Sequence, residues 1–128
     1  MANASKRKGD KFEIELAKYF TEKLGVQVMR SLYTSDPMVR KGKGNPDLIG
    51  LPQLAVEAKK VEALSFPKAM VQAKTNAGRF EKPVVINRRN RQKLEEAYVL
   101  VELEHFTELY RAWGVAEGYF KPEVVQDG

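Results

Sequence analysis

The spacing of apolar positions predicts three amphipathic helices in this chain. Apolar residues recur at helical spacing in three segments: residues 12–24, 66–77 and 106–113. A glycine, the residue that most readily ends a helix, follows each segment: Gly25, Gly78 and Gly114. Asp10 and Ser65 are the expected N-caps of the first two helices, because their side-chain oxygens accept hydrogen bonds from backbone N–H groups of the first turn.

Short apolar or alternating runs predict five strands. They cover residues 26–30, 47–51, 54–60, 83–87 and 97–103. The turn at Leu51-Pro52-Gln53 returns the second strand alongside the third, and the last two strands form a hairpin. This order predicts one α/β domain over residues 1–128, with a central mixed β-sheet flanked by helices. Its ends, residues 1–8 and 115–128, are expected to be flexible or peripheral.

The third predicted strand carries an acid and a lysine on one face. Strand side chains alternate, so Ala55, Glu57 and Lys59 point one way, and the preceding turn brings Asp47 near Glu57. Two carboxylates about 4 Å apart repel by roughly 4 kcal/mol at an effective dielectric near 20. Mg²⁺ would relieve that repulsion, since it takes carboxylate oxygens and bridges to phosphate. The alternative is a surface hairpin whose Glu57–Lys59 ion pair contributes under about 1 kcal/mol.

Composition excludes several classes of site. The 128 residues include no cysteine and a single histidine, His105, so disulfides, thiolate metal sites and multi-histidine zinc sites are impossible. No apolar run approaches the roughly 20 residues of a membrane span, and the N-terminus lacks the apolar stretch of a secretory signal. We therefore expect a cytoplasmic protein with no membrane partner, located in the host cytoplasm if phage-encoded.

Charge is distributed unevenly along the chain. Residues 1–93 hold 20 Lys or Arg and 9 Asp or Glu, a net of +11, whereas residues 94–128 carry a net of −6. A basic body with an acidic end is typical of a protein that binds a polyanion on one side. The candidate DNA contacts are Lys6, Arg7, Lys8, Lys11, Arg30, Arg40, Lys41, Lys43, Lys60, Lys68, Arg88, Arg89 and Arg91.

These residues together resemble a known superfamily. Pro46-Asp47 followed by Glu57-Ala58-Lys59 matches the motif of the PD-(D/E)xK nucleases. Residues 9–13 upstream, Met29-Arg30 and residues 83–90 downstream make the set similar to the archaeal- and phage-type Holliday junction resolvases, with VRR-Nuc domains as the next relatives. The resemblance covers roughly residues 6–112. Ile14 departs from it, because the family carries an arginine directly after the glutamate that corresponds to Glu13.

The resemblance implies a restriction-endonuclease-like core and a Mg²⁺-dependent, structure-selective endonuclease that resolves four-way DNA junctions, with Mn²⁺ as a substitute. Asp47, Glu57 and the backbone carbonyl of Ala58 would hold the metal. Lys59 would orient the attacking water. Symmetric cleavage of a junction requires two sites related by a two-fold axis, so a homodimer is expected. The alternatives are a VRR-Nuc-like or restriction-type nuclease on other DNA, and a non-catalytic DNA-binding module.

Three further residues have open roles. Glu13 is spaced either as a capping-box partner of Asp10 or, as the resemblance favours, as a third acid at the metal. Gln72 lies either on the surface or near the catalytic face. Ser35, a weaker catalytic candidate, belongs to the long basic loop at residues 31–44, for which nucleic-acid contact is favoured over a tolerated insertion.

Overall fold

The structure, a computed structural model, describes residues 4–31 and 45–123, with side chains described from residue 7 onward. In chain order its helices and strands are α1 (Ala4–Leu24), β1 (Met29–Arg30), β2 (Leu48–Ile49), β3 (Leu54–Lys59), α2 (Phe66–Asn76), β4 (Lys82–Asn87), β5 (Tyr98–Leu100) and α3 (Leu103–Ala116). A single turn of 3₁₀ helix, Leu94–Glu96, connects β4 to β5. The protein is therefore a mixed α/β structure.

The strands form two small sheets. β3 pairs in parallel with β4, and β4 pairs antiparallel with β5, which gives a mixed three-stranded sheet in the order β3-β4-β5. The predicted hairpin of the last two strands is confirmed. β1 and β2 form a separate antiparallel pair, joined to β3 where the Asp47 N–H donates to the Val56 carbonyl at 2.8 Å. One central mixed sheet was expected, but the described strands pair as two separate sheets.

Two helices cover opposite faces of the parallel strands. Phe12 and Leu16 of α1 pack in one buried cluster with Val84 and Ile86. Val85, which alternation turns to the other face, packs with Ala69 and Ala73 of α2. Alanine is small enough to let α2 approach the sheet closely, so polar residues on the same side of α2 lie near β3.

Several element ends differ from the sequence prediction. α1 begins at Ala4, so Asp10 lies inside the helix and is not its N-cap. The predicted end of α3 at Gly114 is also wrong, because the helix continues to Ala116. Gly114 is buried there, and a Cβ at this position would collide with the ring of Phe120. That glycine serves close packing within the helix, whereas the sequence interpretation made it a helix stop.

The remaining differences are of length. The strands predicted at residues 26–30, 47–51 and 97–103 shorten to β1, β2 and β5, and α3 starts three residues before its predicted beginning. Ser65 stands at the N-cap of α2, but its side chain makes no capping hydrogen bond. No helix in the two described ranges is both long and apolar enough to span a membrane.

Candidate active site

Asp47 and Glu57 lie together, as the turn before β3 predicts. The Asp47 backbone N–H donates to the Val56 carbonyl at 2.8 Å, and Asp47 Oδ2 accepts the Ala58 N–H at 2.7 Å. Asp47 is therefore bonded to the residues on both sides of Glu57. These two bonds hold its carboxylate against β3.

The two carboxyl groups share a buried environment. Glu57 is only 2% exposed. Burial, and after it the charge of Asp47, raises the pKa of Glu57 to about 7. Burial also raises the pKa of Asp47, although the Ala58 N–H and the Lys59 charge oppose that rise. Below pH 7 the Glu57 carboxyl is therefore mostly protonated, and its hydrogen bond to the Asp47 carboxylate favours that form.

α2 supplies two amide side chains to this site. Asn76 Nδ2 donates to Glu57 Oε1 at 2.6 Å, and Lys59 Nζ donates to Gln72 Oε1 at 2.6 Å. Gln72 and Asn76 are four residues apart, so they lie on the same face of the helix, one turn from each other. The structure thus places Gln72 beside Lys59, and it adds Asn76, which sequence reasoning missed. The available signal was the four-residue spacing from Gln72, beside the buried Ala73.

Glu13 belongs to a neighbouring ionic network. Arg30 Nη2 lies 2.8 Å from Asp10 Oδ1 and 3.7 Å from Glu13 Oε2. The capping-box alternative for Glu13 is wrong, because α1 begins well before Asp10. The Arg30 charge also lowers the Asp47 pKa, although burial has the larger, opposite effect. Arg30, predicted as a DNA contact, therefore connects the acids of α1 electrostatically to Asp47.

The candidate metal ligands at this site are the two carboxyl groups of Asp47 and Glu57. Within residues 4–31 and 45–123, no group of three or more His, Asp or Glu side chains is arranged to hold a metal ion. Glu13 therefore does not form a three-acid group with Asp47 and Glu57. Two carboxylates still match the oxygen chemistry of Mg²⁺, which keeps several waters and binds through one or two carboxylates. The donor set of the site fits that ion.

Arg30 apart, the candidate DNA contacts whose side chains the structure describes fall into two groups. Lys8 and Lys11 of α1 line a cavity of about 210 Å³ together with Lys60 and Arg88. Burial, and after it the Arg88 charge, lowers the pKa of Lys60. The second group is exposed at the surface: Arg7, Lys68, Arg89 and Arg91. Ser35, Arg40, Lys41 and Lys43 lie outside the described residues, as does the side chain of Lys6.

Asn87, the last residue of β4, fixes the chain that leaves β3. Its side chain is 3% exposed, and Nδ2 donates to the carbonyls of Lys59 and Val61, each at 3.0 Å. The Arg88 N–H donates to the same Lys59 carbonyl at 2.9 Å. Sequence reasoning missed this role because it depends on the parallel register that sets Lys59 opposite Asn87. Three hydrogen bonds to two carbonyls therefore hold the backbone that carries Lys59 and Lys60.

The site thus combines a carboxyl pair, an adjacent lysine and two amides, carried by the residue before β2, by β3 and by α2, the helix that follows β3. No family model matches the chain, and no curated protein or solved structure matches it either.

Proposed function

We propose that this protein is a Mg²⁺-dependent, structure-selective DNA endonuclease that resolves four-way junctions, built on a restriction-endonuclease-like core. The observation that carries the proposal is the pairing of Asp47 with the buried Glu57, with Lys59 two residues after Glu57 on β3. The resemblance of these three residues to the PD-(D/E)xK motif supports it.

The energetics of the acid pair favour a ligand. Burial of Glu57, and after it repulsion by Asp47, makes the doubly ionised pair destabilise the fold, and the Glu57 pKa of about 7 expresses that cost. A structural role alone would be served better by an apolar pair of similar size. A divalent cation would reverse the balance, because it stabilises the doubly ionised state.

Asp47 and Glu57 would hold the metal, with the backbone carbonyl of Ala58 as a further ligand. The bound ion would supply a Lewis acid that lowers the pKa of a coordinated water and neutralises charge on the phosphate. Mn²⁺ is expected to substitute, whereas Ca²⁺ is expected to bind without turnover. Glu13 would act at one remove, by holding Arg30 beside Asp47.

Lys59 would act on the water and on the phosphate. Gln72 accepts a hydrogen bond from its ammonium group and so fixes the direction of the amine. The amine would orient the water and stabilise charge on the phosphate oxygens as negative charge develops there. The water oxygen forms a bond to phosphorus and gives one proton to solvent, and the P–O3′ bond breaks in line. The products are a 5′-phosphate and a 3′-hydroxyl, which takes its proton from solvent.

The distribution of charge supports DNA as the substrate, since residues 1–93 carry a net of +11. Cleavage at symmetric positions of a junction requires two copies of the site, so a homodimer is expected. Analytical ultracentrifugation of the DNA-free protein at micromolar concentration measures this directly. A monomeric mass would contradict the dimer.

The decisive experiment is cleavage of a labelled synthetic four-way junction with Mg²⁺. Asp47→Asn and Lys59→Ala should each lower the rate by at least about 10²-fold while junction binding in Ca²⁺ is retained. Glu22→Gln and Lys23→Ala are matched controls, because both side chains are exposed at the far end of α1. These controls should cleave like the unmodified protein.

The other outcomes identify the alternatives. Equal cleavage of plain duplex would reject the junction specificity and retain a VRR-Nuc-like or restriction-type nuclease. Absence of both cleavage and any metal-dependent shift in melting temperature would indicate a non-catalytic DNA-binding module.

A further inference from the structure

A second concentration of charge lies where the chain leaves β3 and β4. Lys8 and Lys11 of α1, Lys60 after β3 and Arg88 after β4 line one cavity of about 210 Å³, which we call the cation pocket. Glu15 is the acid among its lining residues, and it pairs with Arg88 at 2.7 Å. Four cations against one carboxylate leave a net charge of +3 on the lining.

The residues that line the pocket do not neutralise this excess of positive charge. One ion pair accounts for Arg88, and the three lysines that remain repel one another. Lysines placed for solubility would spread over the surface, where water screens them. Three lysines and an arginine directed into one concavity match the recognition of an oxyanion, with Arg88 as the planar donor and the lysines as point charges.

Hydrogen bonds and regular secondary structure fix the backbone around the cation pocket. Lys60 and Arg88 follow the carboxyl ends of the two parallel strands, the edge at which α/β sheets bind their ligands. Asn87 bonds to the carbonyls on both sides of Lys60 and so fixes the backbone from which that side chain extends. Lys8 and Lys11 are three residues apart on α1, so they lie on one helix face.

The pocket also has the right size and position. A volume of about 210 Å³ corresponds to roughly seven waters of liquid, enough for one phosphate group with part of its hydration shell. Lys59 contacts α2, whereas Lys60 lines the pocket against α1 on the other side of the sheet. The consecutive residues Lys59 and Lys60 thus belong to two different sites, the acid pair and the cation pocket.

We infer that the cation pocket binds a phosphate group of the DNA, distinct from the phosphate that is cleaved at Asp47 and Glu57. The identification of DNA as the source rests on the proposed function. The phosphate is either an internal diester or a terminal monoester of a strand, and both present the same oxyanion to the four cations.

The test uses the full chain in Ca²⁺, with fluorescence anisotropy of a junction whose four 5′ ends lack phosphate. The double variant Lys11→Ala, Lys60→Ala should bind about 10- to 100-fold more weakly at 100 mM salt. Its plot of log affinity against log salt should be shallower by about one unit, as expected for one lost phosphate contact. Lys23→Ala, on the same helix about 18 Å further along its axis, should leave affinity and slope unchanged.

A variant of opposite sign protects this test against simple misfolding. Glu15→Gln removes the acid that competes for Arg88, so it should bind several-fold more tightly with a steeper salt dependence. A defect of folding would weaken binding in both variants. Identical affinity and slope for the unmodified protein, the double variant and Glu15→Gln, on junctions with and on junctions without 5′-phosphates, would overturn the inference.

A second arm identifies the source of the phosphate. If the double variant loses affinity only when a terminal 5′-phosphate is present, the ligand is the monoester; if it also loses affinity without one, the ligand is an internal diester. A failure of the proposed function gives a different result. The unmodified protein would then not cleave the junction, whereas the pocket variants would still change DNA binding.

Discussion

The acid pair and the cation pocket both gather like charges, and they differ in how water reaches them. Asp47 and Glu57 have short side chains, fixed by hydrogen bonds and enclosed by β3 and α2. The cations of the pocket have long side chains, and Lys8 and Lys11 are exposed to solvent. Solvent weakens the repulsion among the cations more than the repulsion between the acids, because Glu57 is buried. Substitutions at the acids should therefore have the larger effects.

The largest effect should be the pH dependence of stability at Glu57. In metal-free buffer the unfolded chain loses this proton near pH 4.5, whereas the folded protein keeps it up to about 7. The folded state binds more protons across that window, so stability is full below it and falls as pH rises through it. The loss should be at most about 3 kcal/mol between pH 4.5 and 8.

Urea denaturation of Glu57→Gln at pH 5 and pH 8 tests this prediction. The amide does not titrate, so the variant should lose less stability over this range than the unmodified protein, and Mg²⁺ should restore stability at pH 8 only to the unmodified protein. Glu22→Gln, an exposed control, should follow the unmodified protein. Equal pH dependence in all three would show that the Glu57 carboxyl is not perturbed.

The next effect concerns the amide that contacts Glu57. Asn76→Ala removes the 2.6 Å hydrogen bond to Oε1, which favours the ionised form of Glu57. The carboxyl should then be harder to ionise, and Mg²⁺ affinity should fall about 10-fold, as is typical of groups that orient metal ligands. Isothermal titration calorimetry with Mg²⁺ measures it.

Thr75→Ala is the matched control, because Thr75 is the exposed neighbour and its hydroxyl bonds only within α2, to the Val71 carbonyl. If both variants lost the same affinity, the effect would reflect the stability of α2 and not the contact to the acid pair.

The smallest effect should arise at Gln72. Gln72→Ala leaves the Lys59 ammonium without the acceptor that directs it, but the charge itself remains. We expect kcat for junction cleavage to fall roughly 3- to 10-fold with KM unchanged, since the loss affects the reacting geometry and not DNA binding. Val71→Ala, at an exposed neighbouring position, should show neither change. A parallel rise in KM would assign Gln72 to DNA contact.

The sequence predicted those parts of the site that depend on local pattern. The alternation along β3 and the turn before it were sufficient to place Asp47, Glu57 and Lys59 together. The roles of Asn76 and Asn87 were not predicted. They depend on how α2 packs on β3 and on the parallel register of β3 with β4. Those are tertiary properties, and short runs do not encode them.

The errors at helix ends have the same origin. Asp10 satisfies the local rules for an N-cap, yet it lies within α1 and pairs with Arg30, twenty residues away in the chain. Gly114 satisfies the rule for a helix end, yet the ring of Phe120 requires the small residue there. In each case a distant contact, invisible in the local pattern, decided what the residue does.

The parallel pairing of β3 and β4 has one more consequence. Parallel neighbours cannot be joined by a tight turn, so the backbone must travel the length of the sheet before β4 can start, and α2 is that return path. Gln72 and Asn76 lie on α2, a connection that the parallel pairing of β3 and β4 requires. A hairpin at the same place would offer no helix above Glu57. The helix that connects the parallel strands thus also supplies the two amide groups that contact Lys59 and Glu57.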